Sequence, residues 1–245
     1  MCIVSITVLK ILSLQVKKHI IAIGGGGFGR NPSSNLIETY IINLSDKSTP
    51  RICFLPTATG DDDTYIVRFY SVFTRLNCIP SHIDFFKRTI DINEHIMNQD
   101  IVFVGGGNTK SMLGVWSTWN MDIILKKAYE NGIIMSGVSA GAICWFTNGV
   151  TDSWDNELKI LPCLDFINGT CCPHYDEEPS RIPYVEKILK EDKVSNCIAI
   201  EGGSAMHFID GKPFKNICFN NKKNSYNVSF QNNLIVKKAY PVLQL

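Results

Sequence analysis

The sequence has almost no surplus charge, with 24 lysines and arginines against 23 aspartates and glutamates over 245 residues. So balanced a chain lacks the basic excess that neutralises a phosphate backbone or holds an anionic membrane surface, so neither nucleic acid nor membrane is an expected partner. A membrane-spanning apolar run is missing too. Met1 to Val16 is apolar but broken by Lys10 and Gln15. That stretch is too short to span a bilayer and is unframed by a charged leader or a small-residue cleavage site. Residues 1–18 therefore read as an amphipathic N-terminal extension. Nor is there a cysteine framework. Nine cysteines, an odd number at scattered positions, fit reduced and buried thiols, and the expected compartment is the cytoplasm. Repeats, low-complexity stretches and linkers are absent, so residues 19–245 are expected to form one domain.

What is present suits a large core: 45% of the residues are apolar. From His19 onward, short β-branched runs alternate with segments of helical period, the pattern of βα units around a mostly parallel sheet with helices on both faces. His19–Ile23, Arg51–Leu55, Ile79–Phe86, Asp100–Val104 and Ile133–Val138 read as strands. Asp62 or Asp63 caps a helix carrying Ile66, Phe69, Phe73 and Leu76 on one face, and Trp119 to Asn131 supplies another. After about Asn148 the pattern loosens, resuming with a helix near Ile182–Leu189 and a strand at Cys197–Ile200. Ala205–Ile209, the Asp210-Gly211 turn and the runs near Lys215–Phe219 and Leu234–Val236 read as antiparallel hairpins added to the sheet edge.

The strongest chemical signal is Gly137-Val138-Ser139-Ala140-Gly141-Ala142, between a buried strand and an apolar helix that begins at Ala140. A serine on such a turn sits in strained backbone, and its neighbours must be small for strand and helix to approach closely. The N–H groups at the helix start favour negative charge beside Ser139. Small residues also permit ordinary strand–helix packing, so a second signal matters. Val104-Gly105-Gly106-Gly107-Asn108-Thr109 ends the preceding strand, and both loops should open at the same carboxyl edge of the sheet, where ligands bind. Gly106 and Ala140 are the candidate oxyanion donors, and Asn108 and Thr109 are candidate substrate contacts. Ser139 needs a base. Among five histidines, His174 in Cys171-Cys172-Pro173-His174-Tyr175-Asp176 lies in the most site-like stretch. The base needs a carboxylate to fix its tautomer. Glu201, at the end of the Cys197–Ile200 strand, is the first candidate; Asp176 competes, and Asp165 and Glu178 stay open.

Gly105 to Thr109, Gly137 to Ala142, Pro173-His174 and Ile200-Glu201-Gly202, in that order, resemble peptidase family S51, which includes dipeptidase E and cyanophycinase. The resemblance runs from about His19 to Phe208. It implies a fold like that of the class I glutamine amidotransferases and a Ser–His–Glu triad of Ser139, His174 and Glu201. It also implies hydrolysis of dipeptides or short peptides. The acyl-transfer mechanism calls for no metal or organic cofactor, and a monomer or homodimer is expected. An arginine after the histidine is associated in dipeptidase E with a preference for N-terminal aspartate, and Arg181 is the nearest match.

Two other classes compete. Gly24-Gly25-Gly26-Gly27-Phe28-Gly29 satisfies the dinucleotide-binding pattern G-x-G-x-x-G, but Asn31-Pro32 interrupts the helix that should follow, and a role in walling the active site is expected instead. A catalytically silent binding module on the same scaffold is the other reading. Cys171, Cys172 and His174 lack the paired spacing of a zinc site, and Cys144 reads as a packed core thiol.

Overall fold

Residues 16–31, 33–154 and 157–245 are described by the computed structural model, and most of the N-terminal extension lies outside them. Strand β1 (His19–Ile23) pairs in parallel with β5 (Ile134–Val138), then β4 (Ile101–Val104), β2 (Arg51–Leu55) and β3 (Ile79–His82) follow outward, all parallel. The central members are apolar at nearly every position because both faces of a parallel sheet are covered, and Ile20, Ile21, Ala22 and Ile23 are all wholly buried. On the other side of β1 lie β10 (Ser204–Ile209), β11 (Lys212–Cys218) and β14 (Val242–Gln244), which complete eight strands. The pairs β1/β10 and β10/β11 are antiparallel.

The loosened stretch after Asn148 holds structure that the sequence pattern did not announce. Strands β6 (Phe146–Trp154), β7 (Glu157–Pro162) and β8 (Ile167–Cys172) join β9 (Asn196–Ile200), β12 (Ser225–Gln231) and β13 (Leu234–Ala239) in a second, six-stranded sheet. The C-terminal hairpins are thus divided: β10/β11 extends the main sheet, while β12/β13 extends the second.

The helices cover both faces of the main sheet. On one face α1 (Leu36–Ile42) and α2 (Asp63–Phe73) bury Ile37, Ile41, Phe69 and Phe73 against Ile21, Ile23, Phe54 and Phe103. On the other, α3 (Ile92–Met97), α4 (Thr109–Thr118) and α5 (Met121–Glu130) pack beside the second sheet, so that Ile20 and Val102 share one cluster with Trp116, Leu125, Phe146 and Ile198. The expected three-layer α/β arrangement is present, with α7 (Arg181–Lys190) backing the outer face of the second sheet. The helix expected over Trp119–Asn131 begins only at Met121, because Asn120 takes a left-handed conformation (φ 53°) that breaks α4 from α5. The helix after Ser139, α6 (Ala140–Ile143), lasts a single turn before β6 begins. Among the described residues no helix is long and apolar enough to cross a membrane.

Candidate active site

Strand register decides which loops meet. Val104 and Ala22 both stand opposite Gly137, so the loops after β1, β4 and β5 leave the sheet at one carboxyl edge. A cavity of about 430 Å³ opens there, lined among others by Ser139, His174, Gly106, Tyr65, Arg30 and Arg68.

Ser139 is held at φ 58° and ψ −110°, a strained conformation for a residue with a side chain. Its own N–H donates to Ile23 O at 3.0 Å, and the N–H groups of Ala142 and Ile143 donate back to Ser139 O at 2.9 and 3.0 Å. These bonds fix the bend and present the hydroxyl to the cavity. Gly106 lies directly beside it, for a methyl group on Gly106 would stand 3.2 Å from Ser139 Cβ and 3.8 Å from Oγ. Ala140, the other expected donor, is the buried first residue of α6.

His174 arrives from the second sheet. It follows the end of β8, and its N–H donates to Gly24 O at 3.0 Å while the next residue, Tyr175, donates to Ile200 O at 3.1 Å. This pins the segment between the loop after β1 and the end of β9. His174 is 6% exposed, with Nε2 2.9 Å from Ser139 Oγ and Nδ1 2.6 Å from Glu177 Oε2. A carboxylate can only accept, so Nδ1 carries the proton and Nε2 is left to accept from the Ser139 hydroxyl.

The carboxylate at the imidazole is Glu177, and Glu201 is not there. Glu201 turns toward the start of β12, where it accepts the Asn224 N–H at 2.9 Å and the Tyr226 hydroxyl at 3.2 Å. The three alternatives are also engaged elsewhere. Asp176 accepts from Gly202 N at 2.8 Å and pairs with Lys223, Glu178 binds Arg181 at 2.7 Å, and Asp165 accepts from Thr147. Space for Glu177 comes from two glycines, since a Cβ on Gly25 would meet its Oε2 at 2.6 Å and one on Gly202 would meet its Cδ at 2.2 Å. Burial pushes the Glu177 carboxyl up, but the bonds and charges of His174 and Arg30 outweigh that and hold it below its ordinary value. Arg30 Nη1 stands 2.8 Å from both Glu177 oxygens.

The expected substrate contacts are accounted for differently. Arg181 is 2% exposed, donating to Glu178 at 2.7 Å and to Val150 O at 2.9 Å. Its guanidinium ties α7 to β6 and does not line the cavity. Asn108 caps α4, accepting from Ser111 N at 2.9 Å while donating to Ser153 O at 3.1 Å. Thr109 is buried and accepts from the Thr151 hydroxyl at 3.4 Å. The basic side chains that do line the cavity are Arg30 and Arg68, the latter steadied by Gly29 O at 2.9 Å.

The loop from Gly24 to Gly29 packs on this machinery, with Gly26 and Gly29 on the cavity wall, and the next helix starts only at Leu36. Cys144, Cys171 and Cys172 are wholly buried, and burial pushes the Cys172 thiol up to about 12. Among the described residues no group of three or more histidines, cysteines or carboxylates could hold a metal.

A profile of peptidase family S51 matches residues 20–215. YgaJ of Bacillus subtilis strain 168, described as an uncharacterized peptidase, is 42% identical over 229 residues, spanning 93% of this chain and 99% of its own. Lmo0363 of Listeria monocytogenes, likewise described, is 23% identical over 186 residues, spanning 72% of this chain and 89% of its own. The crystal structure of a peptidase from an acI-B1 Actinobacterium superposes with a TM-score of 0.66 at 13% identity, covering 93% of this chain and 96% of that one. That likeness is one of fold, and it agrees with the α/β architecture similar to class I glutamine amidotransferases.

Proposed function

We propose that this chain, which belongs to peptidase family S51 and is a serine-type peptidase, hydrolyses dipeptides or short peptides through a triad of Ser139, His174 and Glu177. The observation that carries this reading is the chain of two short contacts, Ser139 Oγ to His174 Nε2 at 2.9 Å and His174 Nδ1 to Glu177 at 2.6 Å. It has the polarity that nucleophilic catalysis requires.

In the first step Ser139 Oγ bonds to the peptide carbonyl carbon while its proton passes to His174 Nε2, and the carbonyl π pair moves onto oxygen. The N–H groups of Gly106 and Ala140 hold that oxyanion. Collapse breaks the C–N bond, the amine leaves with the His174 proton, and water then releases the acyl group by the same route. Glu177 keeps the imidazole oriented and stabilises its cationic form. A cavity of about 430 Å³ suits a small substrate. No step calls for a metal or an organic cofactor.

Turnover of a dipeptide panel by wild type and by Ser139→Ala tests the assignment. The substitution is expected to lower kcat by at least about 10³-fold with the fold intact. A panel hydrolysed equally well by both proteins would remove Ser139 from the mechanism.

A further inference from the structure

We infer that the Tyr65 hydroxyl is a third donor to the oxyanion and thus a catalytic group of the acyl transfer proposed above, on which this inference rests. Tyr65 lies in the first turn of α2, its N–H bound at 2.8 Å by the capping carboxylate of Asp62. The ring is wedged between Gly29 and Gly105. A Cβ on Gly29 would come within 2.9 Å of one ring edge, and one on Gly105 within 2.9 Å of the other. Phe28 and Phe54 complete the slot, with ring centroids 5.4 and 5.0 Å away. Tyr65 thereby lines the same cavity as Ser139 and Gly106.

Its tip reaches an oxyanion donor. The Gly106 N–H points at the Tyr65 oxygen from 3.5 Å, a long bond. Among the described residues this is the hydroxyl's one hydrogen-bond partner, and there the oxygen acts as acceptor. The phenol proton is therefore free to donate into the cavity. Two donor heavy atoms 3.5 Å apart can both stand about 2.7–3.1 Å from a single oxygen, the separation an oxyanion requires. When a carbonyl oxygen enters, the Gly106 N–H turns from the phenol to the substrate and the phenol proton follows to the same atom. Burial pushes the Tyr65 phenol up to about 12, so it remains a donor throughout the neutral range. Packing alone would be served as well by phenylalanine, and the hydroxyl's one contact is the long bond from the oxyanion donor Gly106. Gly29 and Gly105 thus do more than turn the chain, because they make the slot that the ring fills.

The reaction to follow is acetylation of the enzyme by p-nitrophenyl acetate, where Ser139 Oγ bonds to the acetyl carbon and p-nitrophenolate leaves as the anion. Stopped-flow measurement should show the acetylation rate constant of Tyr65→Phe lowered by about 10- to 100-fold. The burst amplitude per chain and the Tm should stay at the wild-type values, since the ring is retained. Placing 3-fluorotyrosine at position 65 restores a hydroxyl and should bring the rate back to within about threefold of wild type by returning the donor. An acetylation rate in Tyr65→Phe within twofold of wild type, or a 3-fluorotyrosine protein as slow as Tyr65→Phe, would overturn the role of Tyr65 while leaving Ser139 in place. Acetylation that persists in Ser139→Ala would instead overturn the serine mechanism and this inference with it.

Discussion

At the scale of single residues, the division of labour between two glutamates is open to direct comparison. Glu177 accepts from the imidazole, whereas Glu201 accepts from a backbone N–H and a tyrosine hydroxyl. Glu177→Gln offers Nδ1 a neutral amide that neither enforces the tautomer nor balances the imidazolium. Its kcat/KM is expected to fall by about 10²- to 10⁴-fold with little change in Tm. Glu201→Gln should do the reverse, lowering stability by roughly 1 kcal/mol and leaving kcat/KM within a few-fold. Equal loss of activity in both would contradict the geometry. The nucleophile and base were legible in sequence because a serine between small residues at a strand end, and a histidine in a cysteine-proline context, have few rivals. The acid was not. Asp176, Glu177 and Glu178 are consecutive, and which carboxylate faces the ring depends on the left-handed turn at His174 (φ 51°) and on the space left by Gly25 and Gly202. The signal that was available is the three-residue spacing from His174 to Glu177 across that turn.

At the scale of elements, two buried charges report on how the site is supported. Glu38 of α1 is wholly buried, accepting the Phe28 N–H at 2.6 Å through Oε1, while among the described residues Oε2 has no partner. It tethers the glycine loop to its helix. Burial pushes its carboxyl up to about 7 from an ordinary 4.5. A carboxyl raised on folding contributes stability that is fully present below the unfolded value and is lost as pH rises through the folded one. The Glu38 contribution to stability should therefore fall between about pH 4.5 and 7, by up to roughly 3 kcal/mol. In Glu38→Gln this component of the slope should vanish in denaturant titrations run across that range, and an unchanged slope would contradict the assignment. Arg181 at the start of α7 makes the complementary case. Arg181→Met leaves Val150 O and Glu178 without their donor, at an expected cost of about 3–5 kcal/mol. The relative rates on different dipeptides should not change; a shifted preference would return Arg181 to the substrate. Strands β1, β2, β4 and β5 were readable because burial on both faces makes them short, mostly apolar runs. β6 to β8 were not, since they carry polar residues such as Thr147, Asn148, Thr151 and Lys159 among their apolar ones and leave part of their surface to solvent.

At the scale of the whole molecule, the two sheets share one core. The cluster that holds Ile20 and Met135 of the main sheet also holds Phe146, Ile167 and Ile198 of the second. We propose that residues 19–245 unfold as one domain, so calorimetry should show a single transition whose van't Hoff and calorimetric enthalpies agree. Two separated transitions would assign the sheets to independent units. The shared core also serves chemistry, because Ser139 stands on the main sheet and His174 on the end of a strand of the second. Relative movement of the sheets would part the 2.9 Å contact between them. The most direct test of that arrangement is to treat the folded protein with a fluorophosphonate and locate the adduct by peptide mass spectrometry. The geometry predicts one phosphonyl group per chain, on Ser139, and slow or absent labelling in His174→Ala. A phosphonyl group on any other residue, or labelling indifferent to loss of the imidazole, would contradict it.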